Sequence, residues 1–309
     1  MSAIVEVIVV NYNAGEALQR CLDAAFGQGP DVCVTVVDNA SSDGSAERAE
    51  ARFGGRADFR LLRQADNPGF AAAVNRAVRA GGLPKCDSSP GFLLILNPDC
   101  DLQPGALPEL LAALQQDPAA ALAAPRVTDP RGRVLRGTLR RFPDPWKSFV
   151  TFSGLWRLGR RWPLFEGVER SAQMPAETAP AEAVSGACML LRKDRFFEIG
   201  GMDSEYRLHC EDLDLMYRLR RAGYHCLLVP GARAVHAQGT SSARRPLWVL
   251  WQKHRGMQRF FDKFQAESYA LPLRWGVRAG IWLRFLLQLP LALVKASLGP
   301  LQKGRGAAP

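Results

Sequence analysis

The chain has 309 residues, 47% hydrophobic and 23% charged, a composition typical of a globular protein with a buried core rather than of a disordered or fibrous chain. Its formal net charge is +10, yet residues 1–125 carry 9 basic and 15 acidic side chains, whereas residues 244–309 carry 12 basic and 2 acidic. An acidic first part and a basic end predict a catalytic body joined to a surface that attracts anions.

The first hundred residues alternate between strand and helix patterns. Residues 4–10 form a continuous apolar, β-branched run, which is typical of a strand buried on both faces of a parallel sheet. Residues 32–37 and 92–96 predict two more buried strands, residues 61–62 a short one, and residues 70–80 a helix. This alternation predicts β-α-β units and a mostly parallel sheet with flanking helices.

Polar residues follow each strong strand at the point where it ends. These clusters are Asn11–Asn13, Asp38-Asn39 and Asp99–Asp101. Because ligands of such sheets bind at the carboxyl ends of the strands, the three clusters predict one active site. Two carboxylates on a turn can approach one hard cation, which a nucleotide diphosphate needs to neutralise its phosphates. A surface turn with two acids is the alternative for Asp99 and Asp101.

The middle of the chain is less regular. Residues 126–182 are rich in Arg, Pro, Trp and Gly and predict an irregular basic loop region over the site. Order returns with a strand-like run over 183–191, a helix over 211–222 and a strand over 225–229. We therefore predict a catalytic domain over residues 1–243.

Residues 244–309 predict a basic, aromatic tail of amphipathic helices. Residues 281–298 are strongly apolar but are interrupted by Arg284, Gln288, Pro290 and Lys295. A spanning helix needs about 20 mostly apolar residues, so basic residues beside Trp and Leu favour helices that lie on an anionic membrane surface. Helices that pack on the catalytic body are the alternative.

Cysteine spacing and the N-terminus bear on the compartment. The seven cysteines form no C-x-x-C pair, which predicts reduced, mostly buried thiols in a cytosolic protein. The start of the chain lacks the basic residues and cleavage site of a signal peptide. Both features favour a cytoplasmic protein, peripheral on the inner face of the cytoplasmic membrane.

Six sequence blocks, in order, resemble those of family 2 glycosyltransferases, closest to the rhamnosyltransferase-like branch. The blocks are VIVVNYN at 7–13, VVDNASSDGS at 36–45, NPGFAAAVN at 67–75, LNPD at 96–99, GACMLLR at 186–192 and EDLDL at 211–215. The resemblance covers roughly residues 4–240. It implies a GT-A fold, which is Rossmann-like, together with a nucleotide-sugar donor, a divalent metal (Mg²⁺ or Mn²⁺) and inversion at the anomeric carbon.

The resemblance also implies roles for individual residues. The nucleotide-sugar ligands would be Asn11, Tyr12, Asn13, Asp38, Asn67, Gly69, Phe70, Asn75, Asn97 and Asp99. A helix-capping role for Asp38 and a packing role for Asn75 are the alternatives. The metal ligands would be Asp99, Asp101 and His236, with a surface or core histidine as the alternative for the last.

Two adjacent acids match the family's catalytic position. Asp212 would be the base that takes the proton of the acceptor hydroxyl, and Glu211 would orient the acceptor. Two acids that favour a helix start are the alternative.

The predicted function is transfer of L-rhamnose from dTDP-rhamnose, or of another hexose from a UDP or dTDP donor, to a lipid-linked or cell-surface polysaccharide acceptor. A catalytically degenerate protein that binds nucleotide sugars or polyanions is the alternative. No nucleic-acid-binding module is visible, and we expect no nucleic-acid partner. The absence of G-x-x-x-x-G-K-[ST] and of G-x-G-x-x-G after the first strand argues against a kinase or a dehydrogenase.

Overall fold

The computed structural model describes residues 4–29, 31–81, 83, 91–159, 161–237 and 245–298. Its strands are β1 (Val5–Asn11), β2 (Val32–Asp38), β3 (Phe59–Arg63), β4 (Phe92–Leu96), β5 (Cys100–Leu102), β6 (Ala120–Thr128), β7 (Leu139–Arg140), β8 (Ala179–Ala181), β9 (Ala183–Val184), β10 (Cys188–Arg192) and β11 (His225–His236). Its α-helices are α1 (Ala17–Phe26), α2 (Ser45–Phe53), α3 (Phe70–Arg79), α4 (Ala106–Gln116), α5 (Pro145–Ser153), α6 (Lys193–Glu198), α7 (Glu211–Arg221), α8 (Pro246–Phe264) and α9 (Leu271–Leu298).

The described residues form one large sheet with strand order β3-β2-β1-β4-β10-β6-β11-β5, and β8 pairs with β11. Strands β3, β2, β1 and β4 run parallel, as do β6 and β11, whereas β10 is antiparallel to both of its neighbours. Every residue of β1, β2 and β4 is buried, because helices cover both faces of the sheet. The predicted α/β class is confirmed.

Two apolar layers hold the helices on the sheet. Helices α1, α2 and α4 pack on one face through side chains such as Leu18 and Leu110. Helices α3, α7 and α8 pack on the other through Val74, Leu215 and Phe260. The carboxyl ends of the parallel strands lie at one edge of the sheet. Asn11 and Asp38, the last residues of β1 and β2, lie opposite each other there.

Several elements differ from the sequence prediction. The region 126–182, predicted to be irregular, contains β7, β8, α5 and three short 3₁₀ turns as well as the end of β6. Strand β6 escaped prediction because its run of alanines has low strand propensity. The strand predicted over 225–229 continues to His236 past a register shift between Val229 and Arg233.

Among the described cysteines, one differs from the prediction of reduced thiols. Cys21, Cys100, Cys188, Cys210 and Cys226 are free, as predicted. Cys33 is disulfide-bonded, so the prediction of reduced thiols is wrong there. Spacing alone does not reveal which cysteines the fold brings side by side.

Helix α8 packs on the catalytic body. Phe260 and Phe261 are 2% and 4% exposed, and the rings of Tyr217 and Phe264 lie 4.5 Å apart. The Lys263 ammonium lies 2.7 Å from a carboxylate oxygen of Asp203. For α8, the structure therefore has the packing arrangement that was the alternative to membrane contact.

The first part of helix α9 packs on α8, and most of the rest of the helix is exposed. Its first part meets α8, where the Trp251 and Trp282 rings lie 4.8 Å apart and Arg278 pairs with Asp262 at 3.0 Å. Over Leu271–Ser297 the helix is long and apolar enough to cross a membrane, and 6% of its most apolar stretch is buried. Residues 238–244 and 299–309 of the predicted domain and tail lie outside the described residues.

Lys263→Met is expected to lower the free energy of unfolding by on the order of 2–3 kcal/mol. The ammonium also lies 2.6 Å from Asp214, whose fully buried side chain also pairs with Arg218. Removing one of these two cations leaves the charge of a buried carboxylate less well compensated. Thermal or urea unfolding measures the change. Arg63→Met is the control, because Arg63 pairs with exposed Glu47 and Glu50 and should cost below about 1 kcal/mol. Equal losses in both variants would show that α8 is not anchored through Lys263.

Candidate active site

The loops that follow β1 and β2 are joined by hydrogen bonds between buried polar side chains. The Asn11 amide donates to Asp38 at 2.7 Å, and the second oxygen of Asp38 accepts from the backbone N–H of Ser41 at 3.1 Å. The Asn13 side chain accepts from the Ser42 N–H at 2.8 Å. Asn11 is fully buried, so within the structure it orients Asp38. These bonds fix a small polar floor at the edge of the sheet.

The loop before α3 is attached to the same floor. The Asn39 amide donates to the Asn67 side chain at 3.2 Å and to the Gly69 carbonyl at 3.3 Å. Gly69 has a φ of +103°, and a Cβ there would lie 2.7 Å from the carbonyl oxygen of Arg207. A larger residue would push this loop away from residue 207. The N–H of Phe70 also donates to that carbonyl, at 3.4 Å.

Tyr12 and Asn75 were also predicted to bind the nucleotide-sugar donor, but their surroundings differ from those of Asn11 and Asp38. Tyr12 is partly exposed, and the Arg245 guanidinium lies 5.9 Å from its ring centre. The Asn75 amide donates to the Met202 carbonyl at 2.7 Å, and its oxygen accepts from the Met202 N–H at 2.9 Å. Asn75 therefore anchors the loop after α6, the packing role left open above.

The turn after β4 places Asp99 beside His236 at the end of β11. The Asp99 carboxylate and the His236 ring nitrogen Nε2 are 2.9 Å apart, and both side chains are largely buried. Asn97 begins the turn, and its N–H donates to the carbonyl of Ala187 at 2.9 Å. Strands β5 and β11 pair directly here, with Cys100 opposite His236.

Asp101 lies next to this pair in β5. Its oxygen Oδ1 is buried without a hydrogen-bond partner, and its other oxygen lies 3.6 Å from Arg20. Burial raises the pKa of Asp101, Asp99 raises it further, and Arg20 and His236 oppose the rise. Two carboxylates and an imidazole are ligands that suit Mg²⁺ or Mn²⁺. Nevertheless, among the described residues no group of three or more His, Cys, Asp or Glu side chains is arranged to hold a metal ion, although His236 and Asp99 are in contact.

Asp212 stands at the start of α7, against the Arg140 guanidinium. The nearest atoms of the two side chains are 2.5 Å apart, and both side chains are mostly buried. Burial opposes the charge of Arg140, but the Asp212 carboxylate outweighs it and raises the pKa of Arg140. A Cβ on Gly186 would lie 2.8 Å from the Cβ of Asp212, so glycine leaves the space that this carboxylate occupies.

The turn that leads into α7 is strained and supported from α8. His209 and Cys210 have φ values of +67° and +69°, which non-glycine residues rarely adopt. A Cβ on Gly256 of α8 would lie 2.7 Å from the His209 carbonyl oxygen, so α8 approaches this turn closely. Burial and the neighbouring Asp212 raise the pKa of Glu211 to about 8. The surroundings of Glu211 therefore favour its neutral form over its charged form.

Short contacts connect several of the predicted site residues. Asn97 bonds to Ala187, whose neighbour Gly186 lies against Asp212, and Gly69 lies against Arg207, close before the α7 turn. Sequence reasoning missed Arg140, and it placed Asn39 in a polar cluster without giving it a role. Asn39 adjoined Asp38 in a recognised block, whereas Arg140 was one of many arginines in the basic region 126–182.

Comparisons with known proteins agree with this arrangement. The family profile described as Glycosyl transferase family 2 matches residues 6–196. Over 300 residues the chain is 30% identical to the N-acetylglucosaminyl-diphospho-decaprenol L-rhamnosyltransferase of Mycobacterium tuberculosis (strain ATCC 25618 / H37Rv), with 95% of each chain covered.

Two solved structures share the fold at low sequence identity. GalNAc-T7 with UDP, GalNAc and Mn²⁺ has a TM-score of 0.59 at 16% identity, covering 84% of this chain and 48% of that one. The mannosyltransferase PcManGT from Pyrobaculum calidifontis, in complex with GDP-Man and Mn²⁺, has a TM-score of 0.57 at 17% identity, covering 100% and 77%. The predicted GT-A fold is thereby confirmed.

The family profile and the similar rhamnosyltransferase, together with the fold, define a glycosyltransferase of the GT-A class. The chain belongs to glycosyl transferase family 2.

Proposed function

We propose that this glycosyltransferase is a metal-dependent, inverting rhamnosyltransferase. Its donor is dTDP-rhamnose, with another UDP- or dTDP-hexose as the alternative. Its acceptor is a glycan on a polyprenyl diphosphate, the class named for the mycobacterial relative. One observation carries the proposal: Asp101 adjoins the contact pair of Asp99 and His236 at one edge of the sheet. The bond from Asn97 to Ala187 and the close approach of Gly186 to Asp212 connect that edge with the pair of Asp212 and Arg140.

The donor occupies the floor between the loops after β1, β2 and β4. Asp38, fixed by Asn11 and Ser41, keeps oxygen lone pairs free to accept a hydrogen bond from a pyrimidine base. The loop over Asn67–Phe70 lies beside the sugar. Asp99, Asp101 and His236 would hold the divalent metal, which when bound supplies positive charge to the diphosphate.

Asp212 performs the proton transfer. The acceptor hydroxyl oxygen attacks the anomeric carbon while its proton passes to the Asp212 carboxylate. The bond between that carbon and the donor phosphate oxygen breaks on the opposite side, so the configuration inverts. The Arg140 guanidinium holds the carboxylate in one orientation, and fixed geometry is a large part of such rate enhancements.

A thermal-shift screen of nucleotide sugars with Mg²⁺ or Mn²⁺ tests the donor. A ligand at 100 times its Kd adds about 2.7 kcal/mol to the free energy of unfolding, which shifts the melting temperature measurably. We expect dTDP-rhamnose to give the largest shift and to be consumed when a polyprenyl-diphosphate-linked acceptor is added. A shift without any turnover would favour the degenerate binding protein instead.

We further propose that the enzyme is peripheral on the cytoplasmic face of an anionic membrane, because such an acceptor stays in the bilayer. The described part of α9 after Phe285, whose ring contacts Trp251 of α8, covers residues 286–298 and is about 20 Å long at 1.5 Å per residue. A hydrocarbon core is about 30 Å thick. While its first half stays docked on α8, α9 is therefore too short to span and enters one leaflet.

A further inference from the structure

The exposed large apolar side chains are concentrated in two segments. Of the twenty in the described part of the chain, seven lie between residues 146 and 164 and twelve between residues 247 and 294. The remaining one, Phe197 on α6, lies outside both segments. On the surfaces of soluble proteins such residues usually occur singly. Two dense groups therefore indicate surfaces that contact a membrane or another protein.

The two segments belong to one face of the molecule. The Arg284 guanidinium of α9 lies 3.6 Å from the ring centre of Phe152 in α5, and it also contacts the Met257 sulfur in α8. Arg284 therefore points into the protein, although it interrupts the apolar run of α9. The outer stripe of α9 is left apolar, with Leu283, Leu286, Leu287, Leu291 and Val294 all at least half exposed.

The chemistry of residues 145–165, here called the aromatic segment, suits a bilayer interface. The Arg157 guanidinium lies 5.3 Å from the Trp156 ring centre, and that of Arg161 lies 5.5 Å from the ring centre of Trp162. Neither arginine has a carboxylate partner among the described residues. Exposed tryptophans beside free cations match the level of anionic headgroups, where the ring is partly buried and the charge meets phosphate.

We propose that the aromatic segment is a second membrane anchor, which enters the interface of an anionic bilayer beside α9. This inference extends the peripheral membrane location proposed above. Two points of attachment on one face fix the orientation of the enzyme on the bilayer. The segment starts five residues after Arg140, which holds Asp212. Docking it therefore keeps the catalytic end of the sheet close to an acceptor headgroup.

Charge favours lipid over a second copy of this chain as the occupant. Residues 126–170 carry 11 basic and 4 acidic side chains, and residues 244–309 are net +10. Two such faces would repel each other, whereas an anionic leaflet attracts both segments, and each basic residue near it contributes to binding.

The test is co-sedimentation of the full chain with vesicles of phosphatidylglycerol and phosphatidylcholine. The variant carries Phe149→Ser, Trp156→Ser and Leu164→Ser together, and Phe197→Ser is the control because Phe197 is as exposed as Phe149 but lies on α6, outside both segments. We expect the partition coefficient of the triple variant to fall at least tenfold, since it loses apolar area buried in lipid. The control should stay within about twofold of the wild type.

A second measurement locates the segment directly. All seven tryptophans lie in the two segments, so changing Trp248, Trp251, Trp275 and Trp282 to Phe leaves reporters only in the aromatic segment. Lipids brominated on their acyl chains should quench at least a third of this emission. Unquenched emission from vesicle-bound protein, or wild-type partition of the triple variant, would overturn the proposal.

Two further readings separate this inference from its rivals. A wild-type dimer that dissociates in the triple variant, with no vesicle binding, would show that a second copy covers the segment. Donor-induced thermal shifts are measured on the same samples. Wild-type protein that binds vesicles but no nucleotide sugar would contradict the proposed function and leave the anchor standing.

Discussion

Asp212→Asn is expected to lower the rate of sugar transfer by about 10²–10⁴-fold while donor binding stays nearly intact. An amide keeps the shape of the carboxylate but cannot take the acceptor proton, and loss of a general base typically costs this much. The donor floor around Asp38 and Asp99 does not include Asp212. Steady-state kinetics gives the rate, and calorimetric titration with the donor gives the affinity.

Glu211→Gln is the matched control for this experiment. Burial and Asp212 raise the pKa of Glu211 to about 8, which favours its neutral form. Glutamine mimics that neutral form, so we expect a rate within about tenfold of the wild type. A large loss in Glu211→Gln together with near-normal transfer by Asp212→Asn would assign the base to Glu211 instead.

Asp99→Ala and His236→Ala are both expected to weaken donor binding that depends on metal. Without these ligands the donor affinity should no longer respond to added Mn²⁺ or Mg²⁺, and transfer should fall by at least about 10²-fold, because charge stabilisation at the diphosphate is lost. Donor titrations with and without metal, followed by EDTA treatment of the wild type, measure both effects.

The chain offers a matched control pair for this experiment. Asp117 and His225 form a similar contact, at 2.8 Å, with His225 at the opposite end of the strand that carries His236. Asp117→Ala and His225→Ala should leave the metal response unchanged. Full wild-type activity in EDTA would contradict metal dependence for the whole site.

Much of the candidate donor site could be predicted from the sequence, because most of its polar residues follow strongly patterned strands. Strands β1, β2 and β4 are apolar and β-branched or leucine-rich, and Asn11, Asp38 and Asp99 come directly at or after their ends. Parallel strands bring such ends together whatever the length of the connections. In these strands, the sequence pattern alone was enough to predict where the polar residues lie in the fold.

The candidate acceptor site was harder to predict from the sequence, because its contacts join distant parts of the chain. Arg140 meets Asp212 across 72 residues, and nothing in the local pattern around Arg140 distinguishes it from its neighbouring arginines. Helix α8 was ambiguous for a different reason. Its Phe and Trp side chains would suit either lipid or protein, and the buried carboxylates of Asp203 and Asp214 that receive Lys263 lie far away in sequence.

The close approach of Gly256 to the His209 turn bears on how this enzyme can be divided or recombined. The turn that sets the direction of Asp212 rests on a helix that follows the family blocks in the chain. The catalytic domain and the C-terminal helices that begin with α8 are therefore not interchangeable modules. A truncated enzyme should end after Tyr269, which preserves α8, and a chimaera with a foreign tail must supply a helix with glycine at the same point of contact.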